Sequence, residues 1–139
     1  MKLDATLALF DQLNAQDPNT EMSEGVQIAK ELLYSRRMTA RLKEFNPNAS
    51  ELLQLAVHAQ HIERWKSPRN NYPEGRTGYL KWRQELGQFH AQRASRVMTE
   101  QGYSEGDCAR VCELLQKKNL NQKRKRKRNK KKNRKLLVR

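Results

Sequence analysis

Apolar residues recur at helical spacing along most of this chain. Leu3, Leu7, Phe10 and Leu13 fall three or four apart and predict a helix over about 4–15. Asp17-Pro18-Asn19 ends it in a turn. Ser23 can cap a second helix over about 24–45, carrying Val26, Ile28, Ala29, Leu32, Leu33, Met38 and Leu42. Asn46-Pro47-Asn48 breaks that pattern. Ser50 or Asn48 then caps a third helix over about 50–65, with Leu52, Leu53, Leu55, Ala56, Val57 and Ile62. Residues 66–76 hold two prolines, two asparagines and a glycine, and read as a loop. A long helix follows over about 77–101, stopped by Gly102. Ser104 with Asp107 resembles a capping box for a fifth helix over about 104–118. No strand pair is predicted. The expected fold class is all-α: one bundle-like domain of about five helices over 1–118, then a disordered basic tail over 119–139.

Charge sharpens that division. Residues 1–116 hold 15 Lys and Arg against 15 Asp and Glu, so the body is neutral. Residues 117–139 hold 14 Lys and Arg and no acid, and carry the whole net charge of +14. Lys123, Arg124, Lys125, Arg126, Lys127, Arg128, Lys130, Lys131 and Lys132 are the densest part of this run. Like charges at this density favour a solvated, disordered segment. Such a run can neutralise nucleic-acid phosphates without reading sequence, and it resembles a nuclear address. It offers no aromatic side chain for base stacking.

No stretch of 18 apolar residues predicts a membrane span. The amino terminus lacks the order of a secretory signal. A cytoplasmic protein is expected, or a nuclear one through the tail. Cys108 and Cys112 stand four apart on one helical face. Without a second cysteine pair to complete a zinc site they are expected to be free thiols.

All three histidines fall between residues 58 and 90, together with both tryptophans. Imidazole is the side chain most readily turned to metal binding or proton transfer near neutral pH. On a continuous helix Gln54, His58, His61 and Trp65 would form one stripe. Arg76, Arg83 and His90 recur every seven residues, nearly two helical turns. His58, His61 and His90 are therefore the candidate catalytic groups and ligands for a divalent metal. Arg64, Arg76 and Arg83, with Tyr72 and Trp65, are the candidate contacts to a small anionic or phosphorylated ligand. The plain alternatives are a histidine hydrogen-bonded in the core and arginines paired with Glu74 or Glu85. Tyr79, Trp82, Leu86 and Phe89 form a neighbouring apolar stripe expected to pack on the core. The 66–73 loop could form the mouth of a pocket or serve as an ordered connector.

Ala56-Val57-His58-Ala59-Gln60-His61-Ile62-Glu63-Arg64-Trp65, Pro68-Arg69, Tyr72-Pro73, Arg76, Gly78-Tyr79-Leu80-Lys81-Trp82-Arg83 and Phe89-His90-Ala91 closely resemble the domain-of-unknown-function family 4202. Phe10-Asp11, Asn14-Ala15, Asp17-Pro18-Asn19, Glu31-Leu32-Leu33-Tyr34-Ser35-Arg36-Arg37-Met38-Thr39 and Gly102-Tyr103 extend the likeness, which ends near Leu114-Leu115-Gln116-Lys117-Lys118 and spans about residues 8–120. The resemblance implies an all-helical domain of uncharacterised function. Some similar proteins bear a label alluding to glutamyl-tRNA synthetase, but this chain has no nucleotide-binding α/β domain for that catalysis. The arrangement is also distantly similar to the HD phosphohydrolases, whose helices present metal-binding histidines and aspartates. This chain departs from their pattern: Ile62 follows His61 where an aspartate would stand, and Tyr34 stands where a first histidine is expected. Similar proteins continue into an acidic helix that the basic ending of this chain replaces. Two function classes follow: a metal- or phosphate-ligand-binding, hydrolase-like protein using the His/Arg cluster, or a non-enzymatic nucleic-acid-binding or interaction protein acting through its tail.

Overall fold

The computed structural model of the chain describes residues 2–116. It is mostly helical. Helices α1 (Lys2–Asn14), α2 (Lys30–Phe45), α3 (Glu51–His58), α4 (Arg76–Glu100) and α5 (Glu105–Gln116) enclose one core. Phe10, Leu55, Ile62, Ala94, Met98, Tyr103 and Val111 lie at its centre, with Leu3, Leu7, Leu52 and Leu115 packed around them. Among the described residues no helix is long and apolar enough to cross a membrane.

The helix ends obey local chemistry. The Ser50 hydroxyl accepts a hydrogen bond from the Leu53 amide and caps α3. The Ser104 hydroxyl does the same for the Asp107 amide at the start of α5. Between α4 and α5, Gly102 adopts φ 90°. The Gly102 amide bonds to the Thr99 carbonyl and the Tyr103 amide to the Met98 carbonyl, as in a Schellman motif. Met98 and Tyr103 are both buried there, and the chain reverses so that α5 packs back on α4.

The second predicted helix is corrected at its start. Residues 20–29, which take in its cap and its first turn and a half, are instead a β-hairpin, β1 (Thr20–Ser23) against β2 (Val26–Ala29), antiparallel with Thr20 opposite Ala29 and Ser23 opposite Val26. Glu24 and Gly25 form the two-residue turn with φ of 49° and 81°. Positive φ at both positions is the geometry that suits the twist of paired strands. Helix α2 begins only at Lys30, after Ala29, which supplies no side-chain cap. Asp17 replaces that cap from the preceding turn: its carboxylate accepts from the Glu31 amide at 3.1 Å and from the Asn19 amide at 2.9 Å.

The third helix is also shorter than its apolar pattern suggests. It stops at His58, and the chain passes through tight turns into a 3-10 turn at Arg64–Lys66. Two long-range bonds explain the break. The Glu63 amide donates to Asn14 Oδ1 on α1 at 2.9 Å, and the Ile62 carbonyl accepts from His90 Nδ1 on α4 at 2.8 Å. Glu63 sits at φ 52°, with its buried carboxylate facing Lys66 and Arg93. These partners occupy backbone groups that a continuing helix would need.

The connector to α4 is ordered by Arg69, whose guanidinium donates to the carbonyls of Tyr72, Pro73 and Gly75. Trp82 Nε1 donates to the Ser67 carbonyl at 2.8 Å. Gly78 lies so close to this connector that a Cβ there would fall 1.9 Å from the Pro73 carbonyl oxygen.

Candidate functional site

The break after α3 decides how the histidines are used. His58, the last residue of the helix, points inward. Its Nε2 meets Asp11 Oδ1 of α1 at 2.7 Å and its Nδ1 meets the Thr39 hydroxyl of α2 at 2.7 Å. Carboxylates accept, so Nε2 carries a hydrogen. Both ring nitrogens are engaged, and His58 joins three helices rather than facing a ligand.

His61 lies beyond the break and turns another way. Its ring stacks on Tyr34 of α2, centroids 3.8 Å apart and planes 6° from parallel. Its Nδ1 is 3.3 Å from the buried Glu31 carboxylate, without hydrogen-bond alignment. Glu31 and Tyr34 are one turn apart on α2, so that helix holds His61 twice. Burial, then the charge of Glu31, raises the Tyr34 phenol above its ordinary value.

His90, on α4, is 6.4 Å from His61 between ring centroids. The Ile62 carbonyl can only accept, so His90 Nδ1 carries a hydrogen. Burial lowers the His90 pKa to about 4, and His61 and Arg64 push it the same way. The ring is therefore neutral near pH 7, with Nε2 a bare acceptor. That atom is buried and has no hydrogen-bond partner among the described residues.

His61 and His90 line one cavity of about 870 Å³ between α2, α3, α4 and α5. Arg64, Arg83, Gln84 and Gln88 line it too. Arg64 lies over the Trp82 ring at 5.4 Å and Arg83 over Tyr79 at 5.9 Å. Neither guanidinium has a carboxylate within ion-pair distance among the described residues, so the expected alternative of pairing Arg83 with a helix acid does not occur. Glu85 instead accepts a hydrogen bond from the Tyr72 hydroxyl, which raises the Tyr72 phenol.

Four of the eight residues picked out from the sequence thus meet at one cavity: His61, His90, Arg64 and Arg83. His58 does not line it. Trp65 and Tyr72, in the connector, and Arg76, at the exposed start of α4, do not line it. Trp82 and Leu86 are buried as the apolar stripe requires, whereas Tyr79 is exposed. The three histidines do not converge as one metal-ligand set. Among the described residues, no group of three or more His, Cys, Asp or Glu is placed to hold a metal ion. Cys108 and Cys112 are free, and burial raises the Cys112 thiol.

Sequence reasoning missed Glu31, Thr39 and Asp11 as partners of the histidines. Glu31, Tyr34 and Thr39 had a signal as parts of the family motif. The basic candidates Lys123, Arg124, Lys125, Arg126, Lys127, Arg128, Lys130, Lys131 and Lys132 lie outside the described residues, as does the 118/119 boundary.

No curated relative and no solved structure matches the chain. A family does. The match covers residues 4–132, further than the motifs alone mark out and into the basic segment. The motifs around His61 and His90 and the helical body that carries them place this chain in the family described as Domain of unknown function (DUF4202).

Proposed function

We propose that the cavity binds a small phosphorylated compound and that His61 exchanges a proton with it. The observation that carries this reading is the pair of guanidinium groups, Arg64 and Arg83, lining one cavity with no carboxylate partner among the described residues. Arginine without a carboxylate, beside an apolar wall, suits an oxyanion such as phosphate, two of whose oxygens match the planar guanidinium fork. Glu31 behind His61 Nδ1 leaves the Nε2 edge of that ring for the cavity it lines. A carboxylate–imidazole pair is a common proton-transfer arrangement.

A thermal-shift titration of the full chain with phenyl phosphate tests the reading. A ligand at a hundred times its Kd adds about 2.7 kcal/mol of stability. The wild-type melting temperature should rise with ligand, and the Arg64→Gln/Arg83→Gln double variant should lose that rise. No rise in wild type, or an equal rise in the variant, removes the basis for the proposal.

Charge favours a second reading, nucleic-acid binding through residues 119–139. The 14 basic residues after residue 116, with no acid among them, can hold phosphates at the cost of steep salt dependence. Deleting 119–139 should abolish RNA binding in an anisotropy titration; retention would move that activity to the helical body.

A further inference from the structure

The cavity asks for more than an anion. His90 Nε2 is a buried lone pair without a donor among the described residues, and a lone pair repels a phosphate dianion. It needs a hydroxyl or an N–H from the ligand. Along the α3 side the lining runs from Leu53, Ala56 and Val57 to Gln60, His61 and Arg64, apolar first and then polar. Leu114 and Leu115 of α5 add to the apolar part. On α4, Gln84 and Gln88 stand one turn apart, both in the lining and both exposed. An amide offers a donor and an acceptor side by side, the pattern that reads the edge of a purine.

Resting on the phosphate-binding reading above, we infer that the ligand is a purine nucleoside monophosphate. Arg64 and Arg83 meet the phosphate, whose charge of nearly −2 matches two guanidinium groups. A triphosphate would bring more charge than these two arginines balance. A ribose hydroxyl donates to His90 Nε2. The base lies against the α3 and α5 leucines, with Gln84 and Gln88 at its edge. A sugar phosphate would leave the apolar wall bare, and an alkyl phosphate would leave the amides and His90 unpaired. The cavity, at about 870 Å³, is within the size range of small-molecule sites.

Isothermal titration of the full chain with AMP, ribose 5-phosphate and octyl phosphate tests this. AMP should bind about tenfold or more tightly than either of the others, one to two hydrogen bonds' worth. Gln84→Ala/Gln88→Ala should weaken AMP about tenfold and leave ribose 5-phosphate unchanged. Equal affinity for AMP and ribose 5-phosphate overturns the inference while leaving the phosphate site standing. Tighter binding of octyl phosphate overturns it in favour of a lipid-like ligand. Failure of all three to bind overturns the phosphate reading as well.

Discussion

Tyr34 and His61 are stacked face to face, ring centroids 3.8 Å apart and planes 6° from parallel. The contact fastens α2 to the segment after α3, where the helix has already ended. Glu31, one turn before Tyr34, reaches the same imidazole at 3.3 Å. Helix α2 thereby fixes both the plane and the rotation of His61.

Removing the phenol should loosen that hold. Tyr34→Ala should destabilise the fold by about 2 kcal/mol, combining lost burial with the loss of an aromatic pair. Tyr34→Phe, which keeps the stack, should stay within about 0.5 kcal/mol of wild type. Urea denaturation checks both. A loss for Tyr34→Ala as small as that for Tyr34→Phe would mean that the stack contributes nothing.

His90 makes stability depend on pH. Its folded pKa of about 4 lies below the ordinary 6.5, because burial disfavours the charged ring. The unfolded chain takes up a proton in that interval and the folded chain does not. The stabilisation is complete above about pH 6.5 and is lost as pH falls toward 4. Between pH 7 and pH 5 the loss assigned to His90 is about 2 kcal/mol. His90→Gln should therefore lose about that much less than wild type over the same interval. Parallel declines for the two proteins in urea denaturation would refute the assignment.

His58 should matter to folding and not to the ligand. Replacing it with Ala leaves Asp11 and Thr39 without their shared partner and opens a cavity between three helices. A loss of about 3 kcal/mol is expected. The folded fraction should still bind phenyl phosphate with wild-type affinity. A stable His58→Ala protein that no longer binds would return His58 to the site.

Two glycines should respond in opposite directions. Gly78→Ala would place a methyl group 1.9 Å from the Pro73 carbonyl oxygen, a backbone atom that cannot step aside cheaply. It should cost about 3 kcal/mol or more. A Cβ added at Gly106, in the first turn of α5, would meet only Ser104 Oγ, at 3.9 Å, an ordinary contact. Gly106→Ala should add up to about 1 kcal/mol through helix propensity. Thermal denaturation of the two variants measures both signs.

The sequence made the long helices legible because their signals are local. Ser50, Gly102 and Ser104 act within three residues of the ends they define. The hairpin was hidden because Glu24 gives no sign of the left-handed backbone that it adopts beside Gly25. The early end of α3 was hidden for another reason: the Glu63 amide and Ile62 carbonyl are claimed by Asn14 and His90, 49 and 28 residues away. That break also separates His58 from His61, which a continuous helix would have kept on one stripe. His61, His90, Arg64 and Arg83 could be picked out as rare or periodic residues. Glu31 belongs to another helix, and apart from the family motif that contains it only its tertiary position marks it.

The three histidines permit a direct test of the binding account, since each imidazole occupies a different setting. Long-range 1H–15N spectra of the uniformly labelled full chain, titrated with phenyl phosphate, report on each ring. Saturable shifts are expected at His61 and His90, which line the cavity, with His58 unmoved between Asp11 and Thr39. Shifts confined to His58, or no shift at any of the three, would contradict it.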